Sequence, residues 1–557
     1  MTRMHQIRRF LAVCVAFGPL SSFQGALGQS PSAPVEGPGV DAAPGVPGSA
    51  ALGQRRRVGG PDAGPAPGAA RPPIPLPPAA RPYADLVKED PAVAPARFQG
   101  RGQDDTTTPP AAVDSNPDAS FGRRLIDAYF PPKDAPTPPP TPGVSRRGLP
   151  SPFQSPPFPF SDYIGPLLGT RDETVWPLMN ALYAGKNGQA WKDSRIKIYG
   201  WFDPSVTFGT SKNSNIPMAY NIVPNKLELS QAILIFERQV DTAQTDHADF
   251  GFKVTNLYGI DYRYTTAKGY FSDQLLKHNH LYGYDPLQLY VDLYTPRIAQ
   301  GMVLRIGRYI SPIDIEAQLS PENYLYSHSV MYTYDPYTFT GIQAITKLND
   351  QWHLTLGIHG GNDVALWTTS TQPNAEILLK WVSKDNKDSL FGGIDSIGRG
   401  KFLNGHDDLQ VLALTWSHKF SDKFQTMTEG YYIFQHSALL GGTVTNGNPH
   451  PYFPGVGPGK LIPGTSDALG VVNYTSYKLN DKAIIVGRSD LLADFQGQRT
   501  GFATTYFEHT LGYVRHITPW LILRPEVRFD YSSGAKAYDN GTKREMFTFN
   551  ADLILRF

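Results

Sequence analysis

The last eleven residues of the chain alternate. Phe547, Phe549, Ala551, Leu553, Leu555 and Phe557 fall on one face of a strand, and Thr548, Asn550, Asp552, Ile554 and Arg556 on the other. Successive strand side chains point to opposite faces, so one face is apolar and the other mostly polar. The closing strand of a bacterial outer-membrane barrel has this form, with lipid on one side and the lumen on the other.

The same period recurs upstream. Sixteen strands are expected from residue 195 on, at about 195–209, 226–239, 247–259, 286–296, 301–310, 338–348, 351–361 and 374–383, then 387–396, 408–420, 423–436, 468–479, 481–494, 502–516, 520–532 and 543–557. Their lengths suit tilted membrane strands. The connections alternate. Odd-numbered ones are mostly long, such as 210–225, 260–285, 311–337 and 437–467, with 495–501 the shortest. Even-numbered ones are tight, such as Asn349-Asp350, Ser421-Asp422 and Asn480. Asn, Asp and Ser favour turns. Short turns at one end and long loops at the other are the signature of an antiparallel outer-membrane barrel with an even strand number.

Alternation also assigns faces. In 520–532, Leu521, Leu523, Val527 and Phe529 share one face and Arg524, Glu526, Arg528 and Asp530 the other. A lipid-facing arginine near the midplane costs about 2–4 kcal/mol, so the charged face is expected to line the lumen. By the same parity Leu287, Leu289, Val291 and Leu293 face out, while Gln288, Tyr290, Asp292 and Tyr294 face in. Glu429, with Gln425 and Gln435, and then Arg488, Asp490 and Asp494 are further pore-lining candidates. For any one residue, pairing that braces the wall is the plainer role. For the set, a hydrated pore is expected, because barrels of 16–18 strands leave an aqueous channel. The 311–337 loop carries Glu316, Glu322 and Asp335. It either packs outward as a lid or folds inward as a constriction.

The rest of the chain differs in character. Arg8 and Arg9, the apolar run Phe10 to Phe17 and Ala26-Leu27-Gly28 follow the order of a cleaved secretory signal, expected at 1–28. Cys14, the single cysteine, lies within it, so no disulfide is expected; its context is a poor lipoprotein box. Residues 31–160 hold 31 of the 50 prolines. Runs such as Pro138-Pro139-Pro140 cannot enter helices or sheets, and 29–160 is expected to be a disordered periplasmic segment. Arg55-Arg56-Arg57 reads as a solvated charge run. Residues 161–194 are transitional, with Thr174 to Ala184 fitting a short helix whose first turn tolerates Pro177. The barrel takes 195–557.

Composition removes other classes. With 51 basic and 50 acidic residues there is no case for nucleic-acid binding. No stretch of about 18 apolar residues suits a transmembrane helix. His278 and His280, with His328 or His359, could approach a metal, but solvated loop histidines are the better reading, and no metal is expected. No motif fixes a catalytic trio, and Gly457-Pro458-Gly459 lacks the strand-to-helix setting of a nucleotide site. Neither enzyme activity nor a cofactor is expected.

The chain resembles the OmpL-like β-barrel porins of Gram-negative bacteria over about 195–557. The resemblance rests on Tyr258-Gly259-Ile260-Asp261, Leu289-Tyr290-Val291-Asp292-Leu293-Tyr294, Leu304-Arg305-Ile306-Gly307-Arg308 and Tyr326-Ser327-His328-Ser329. Toward the carboxyl end it rests on Gly497-Gln498-Arg499-Thr500-Gly501, Glu508-His509-Thr510-Leu511-Gly512, Arg524-Pro525-Glu526-Val527-Arg528-Phe529, Tyr538-Asp539-Asn540-Gly541 and Leu555-Arg556-Phe557. It implies an outer-membrane porin and supplies no defined substrate and no catalytic set. The leading expectation is therefore passive diffusion of small hydrophilic solutes or ions. The alternative is a non-conducting structural or adhesive barrel acting through its outer loops. The expected partners are outer-membrane lipid, those solutes and the barrel assembly machinery, with Phe557 as the assembly signal. Monomer or homo-oligomer stays open.

Overall fold

A computed structural model describes residues 117–131, 168–169, 174–218, 220–278, 281–442 and 459–557. Sixteen strands form one closed antiparallel barrel in sequence order. They are β1 Ile196–Gly209, β2 Lys226–Arg238, β3 Asp249–Gly259, β4 Gly283–Thr295, β5 Met302–Ile310, β6 Thr338–Lys347, β7 Trp352–Asn362 and β8 Asn374–Val382. Then come β9 Asp388–Ile397, β10 Gln410–Lys419, β11 Phe424–His436, β12 Thr465–Asn480, β13 Ala483–Asp494, β14 Thr504–Thr518, β15 Leu521–Ser532 and β16 Glu545–Arg556. No described helix is long and apolar enough to cross a membrane, which says nothing of the barrel strands.

Closure happens between the first and last strands. Phe202 on β1 pairs with Leu555 on β16. The ladder runs on to the last residue: Phe557 N–H donates to the Gly200 carbonyl at 2.9 Å, and Gly200 N–H returns a bond at 3.3 Å. No strand edge is left unpaired, as a wall in hydrocarbon requires. The tight turns form through their own side chains. Asn349 Oδ1 accepts from the Gln351 and Trp352 amides at 2.9 and 3.0 Å, and Asn480 Oδ1 from the Lys482 amide at 2.9 Å.

Four features depart from the sequence expectations. Leu287 does not face lipid; it is fully buried and joins the apolar cluster that includes Leu257 and Tyr262. The β3–β4 register shifts here, so Gln288 pairs with Thr255 and Pro286 with Asn256. The bulge inserts one residue and turns Leu287 inward. Within 260–285, read as a loop, lie two short helices, α4 Tyr262–Thr265 and α5 Phe271–His278. Ahead of the barrel, the expected helix forms as α2 Pro177–Tyr183 with its proline at N1, and an unexpected one, α3 Gly188–Ser194, follows it.

The fourth is α1, Phe121–Tyr129, inside the proline-rich stretch. Residues 1–116 and 132–160, with the signal and most of that stretch, lie outside the described residues. No proline falls between Pro117 and Pro131, and the Ser120 hydroxyl caps the helix by accepting from the Arg123 amide at 3.3 Å. Arg124 Nε donates to the Ala181 carbonyl of α2 at 3.0 Å. Tyr129 meets Trp520 edge-on at 5.8 Å, and its hydroxyl donates to the Arg556 carbonyl at 3.2 Å. The helix is thus seated at the short-turn end of the barrel.

Candidate functional site

The 311–337 segment folds inward. Nearly all its residues are buried, and the wall holds it by its backbone. Its ends are stitched together, Ser311 N–H to the Tyr337 carbonyl at 3.1 Å. Between them, Glu429 on β11 accepts from the Ile315 amide at 2.6 Å. Glu526 on β15 accepts from the Tyr326 and Ser327 amides at 3.1 and 3.3 Å, and Asp490 on β13 from the Val330 amide. Arginines take the carbonyls. Arg524 Nη1 donates to Ser320 and Asn323 at 2.7 Å each. Arg528 donates to the His328 carbonyl and Arg488 to that of Ser327. A loop backbone out of water needs a partner for each polar group, and the charged wall supplies them.

The wall charges are also paired with one another. Arg528 and Asp530 lie 2.6 Å apart, Arg488 and Glu508 2.9 Å. Arg524 Nε is 3.0 Å from Asp552 Oδ1. Glu316 bridges segment and wall: it lies 3.2 Å from Arg488 and accepts from the Ser329 hydroxyl at 2.8 Å and from the Tyr474 hydroxyl. Asp335, Asp314 and Glu429 bring three carboxyls within hydrogen-bonding reach at the neck of the segment. Glu322 sits half-buried in the 3-10 turn Ser320–Glu322.

Other residues singled out from the sequence lie elsewhere. Asp494 accepts from the Arg499 and Thr500 amides at 3.0 and 2.8 Å, capping the loop after β13. Asp292 binds Arg305 through two 2.9 Å bonds, and the same guanidinium lies 3.9 Å over the Tyr290 ring. The Tyr294 hydroxyl donates to the Gln244 carbonyl at 2.9 Å, and its ring packs with Leu168, Val303 and Ile345. This β4 group belongs to the inner wall but contributes none of the bonds named above that hold the 311–337 segment.

Parity could have found Glu508 and Asp552, which sit on the same inward faces as Arg488 and Arg524. It could not have found the aromatic column that three loops build. Tyr220 stacks on Tyr264 at 4.2 Å and meets His328 at 4.1 Å, and His328 stacks on Tyr332 at 4.7 Å. His359 stacks on Phe339 at 3.9 Å. The side chains of His278 and His280 lie outside the described residues. Among the described residues, no three His, Cys, Asp or Glu side chains are disposed to hold a metal ion.

A closed sixteen-strand barrel with an apolar exterior and a charged interior defines an outer-membrane protein of the porin class. The chain belongs to the family described as "Putative beta-barrel porin-2, OmpL-like", which matches residues 195–557. No curated protein matches it. Similar solved structures include the anion-selective porin from Comamonas acidovorans, 11% identical, covering 65% of this chain and 99% of that one with a TM-score of 0.43. Another is Salmonella typhi OmpF in complex with daunomycin, 11% identical, covering 66% and 99%, with a TM-score of 0.44. A third is OprB of Pseudomonas putida, 11% identical, covering 67% and 96%, with a TM-score of 0.42.

Proposed function

We propose that this protein is a constricted passive porin, through which small hydrophilic solutes or ions diffuse along a polar lumen narrowed by residues 311–337. The observation that carries the reading is the attachment of that segment. Its amides and carbonyls are held by Glu429, Arg488, Asp490, Arg524, Glu526 and Arg528, so it is a fixed partition inside the barrel. Acidic and basic groups line that partition together, which suits polar solutes and disfavours apolar ones. In this reading residues 1–28 are a cleaved signal, 29–160 remain periplasmic, and Phe557 serves assembly.

The test is swelling of liposomes holding the purified barrel, in isotonic solutions of neutral sugars of increasing size. Swelling with the smallest and a steep loss with size is the expected result; no swelling with any of them overturns the reading. One observation favours the non-conducting alternative: Glu508, Arg528 and Asp530 are each 0% exposed, so the wall beneath the segment is dry.

A further inference from the structure

The outward face of the barrel is apolar on most strands. β4 presents Leu289, Val291 and Leu293, and β16 presents Phe547, Phe549 and Leu553, each between 37% and 49% exposed. One row departs from this. Thr428 on β11, Asn473 on β12, Ser489 on β13 and His509 on β14 are successive cross-strand partners. Their parity is opposite to that of buried Glu429, Arg488 and Glu508, so all four point outward at one level. In the adjacent row Thr426 and Thr475 are polar too, and Gly487 has no side chain.

This band is not a rim. Asn473 is the ninth of sixteen residues in β12. Apolar rows bracket the band, Leu491 and Phe507 on one side, Tyr477 and Ile485 on the other. The polar groups bind one another. Asn473 Nδ2 donates to the Thr426 and Thr428 hydroxyls at 3.0 and 2.8 Å, and the Thr475 hydroxyl donates to Asn473 Oδ1 at 3.1 Å. Ser489 and His509 Nδ1 are 2.9 Å apart. His509 Nε2 has no partner among the described residues. Hydrocarbon offers none, and polar side chains at membrane depth ordinarily mark packing against protein.

We propose that the β11–β14 face is the seam through which this barrel joins a second copy of itself in the outer membrane. A copy carries the same donors and acceptors at the same depth, which suits a two-fold interface in which the same patch serves both copies. The patch is self-complementary in chemistry, because hydroxyls and an imidazole both give and take hydrogen bonds. It is about 14 Å wide, from strands spaced at about 4.8 Å. At its centre Gly487 leaves open space: a Cβ there would meet only the Thr475 carbonyl, at 4.0 Å. Small residues at such a spot let two walls approach closely.

Two experiments test this. The first uses Gly487→Cys in a Cys14→Ser background, oxidised in intact outer membranes, with Leu293→Cys on β4 as the far-side control. The seam predicts a disulfide-linked species of twice the chain mass from Gly487→Cys and none from Leu293→Cys. A cross-link to a chain of different mass, equal yields from both variants, or none from either overturns it. The second measures the native mass in mild detergent of the full chain and of the triple variant Asn473→Leu, Ser489→Leu, His509→Leu, which restores an apolar belt. The expected shift is from oligomer to monomer with heat-modifiable mobility kept. A monomeric parent, or an oligomer that survives the triple change, contradicts the proposal. Should the triple variant not fold, the cysteine result decides.

Discussion

Arg488 on β13 and Glu316 in the inward segment lie 3.2 Å apart, both almost wholly buried. The pair ties the partition to the wall through side chains, as the Tyr474 hydroxyl on Glu316 also does, in addition to the contacts made to the segment's backbone. Arg488 also holds Glu508 at 2.9 Å, so losing Glu316 leaves the guanidinium compensated and costs less than the ~3–5 kcal/mol of an isolated buried pair. Glu316→Gln should therefore loosen 311–337 while leaving the strand ladder intact. Amide exchange across the segment, with circular dichroism in parallel, reads this out: faster exchange at Ser327–Val330 with unchanged strand content is expected. Unchanged exchange would mean the backbone contacts suffice.

Arg524 and Arg528 are the buried cations of β15, each paired with a carboxylate. Replacing both with glutamine leaves Asp530 and Asp552 without their guanidinium partners, while Glu508 keeps Arg488, and it removes three donors to segment carbonyls. The conducting variant should shift toward cation preference, since fixed charges in a low-dielectric passage govern ion entry. Reversal potential under a salt gradient measures it, and unchanged selectivity would place these arginines off the conducting path.

Much of this was legible in the sequence. A wall with lipid on one side and polar groups on the other must alternate, so residues such as Arg524 to Asp530 and Phe547 to Phe557 declared their faces. Each expected strand lies within three residues of an observed one. Leu287 was misread because a bulge resets parity without a local signal. The fold of 311–337, and the meeting of Tyr220, Tyr264, His328 and Tyr332, depend on contacts far apart in sequence, which no period encodes. Helix α1 was hidden by composition averaged over a longer window.

Deleting Phe557 removes two backbone bonds to Gly200 and a ring contact with Phe202 at 5.4 Å, all at the seam where the barrel closes. The yield of heat-modifiable barrel in the membrane fraction should fall, while a conservative Phe557→Tyr should keep it. Equal yields for all three chains would assign closure to the remaining β1–β16 pairs.

Asp539, in the outer loop before β16, accepts from the Lys212, Asn213 and Ser214 amides at 3.1, 2.7 and 3.3 Å. Burial raises its carboxyl, but those amides and the Lys543 ammonium outweigh it and hold it below the ordinary 3.8. A depressed acid stabilises the fold fully above its unfolded value and loses that contribution as pH falls through the folded one. The 210–225 loop should be protected from exchange near neutral pH and lose that protection as pH falls from the ordinary 3.8 through the depressed folded value. Asp539→Asn should lack much of it at both. Equal protection of the variant at neutral pH would contradict the tether.

The most direct test is single-channel conductance in planar bilayers of the full chain beside a variant whose residues 314–335 are replaced by a short Gly-Ser linker. The account predicts small, steady, ohmic steps for the parent and a several-fold increase for the variant, with both barrels heat-modifiable. Folded barrels that are silent in both forms would contradict it, as would equal conductance with and without the segment.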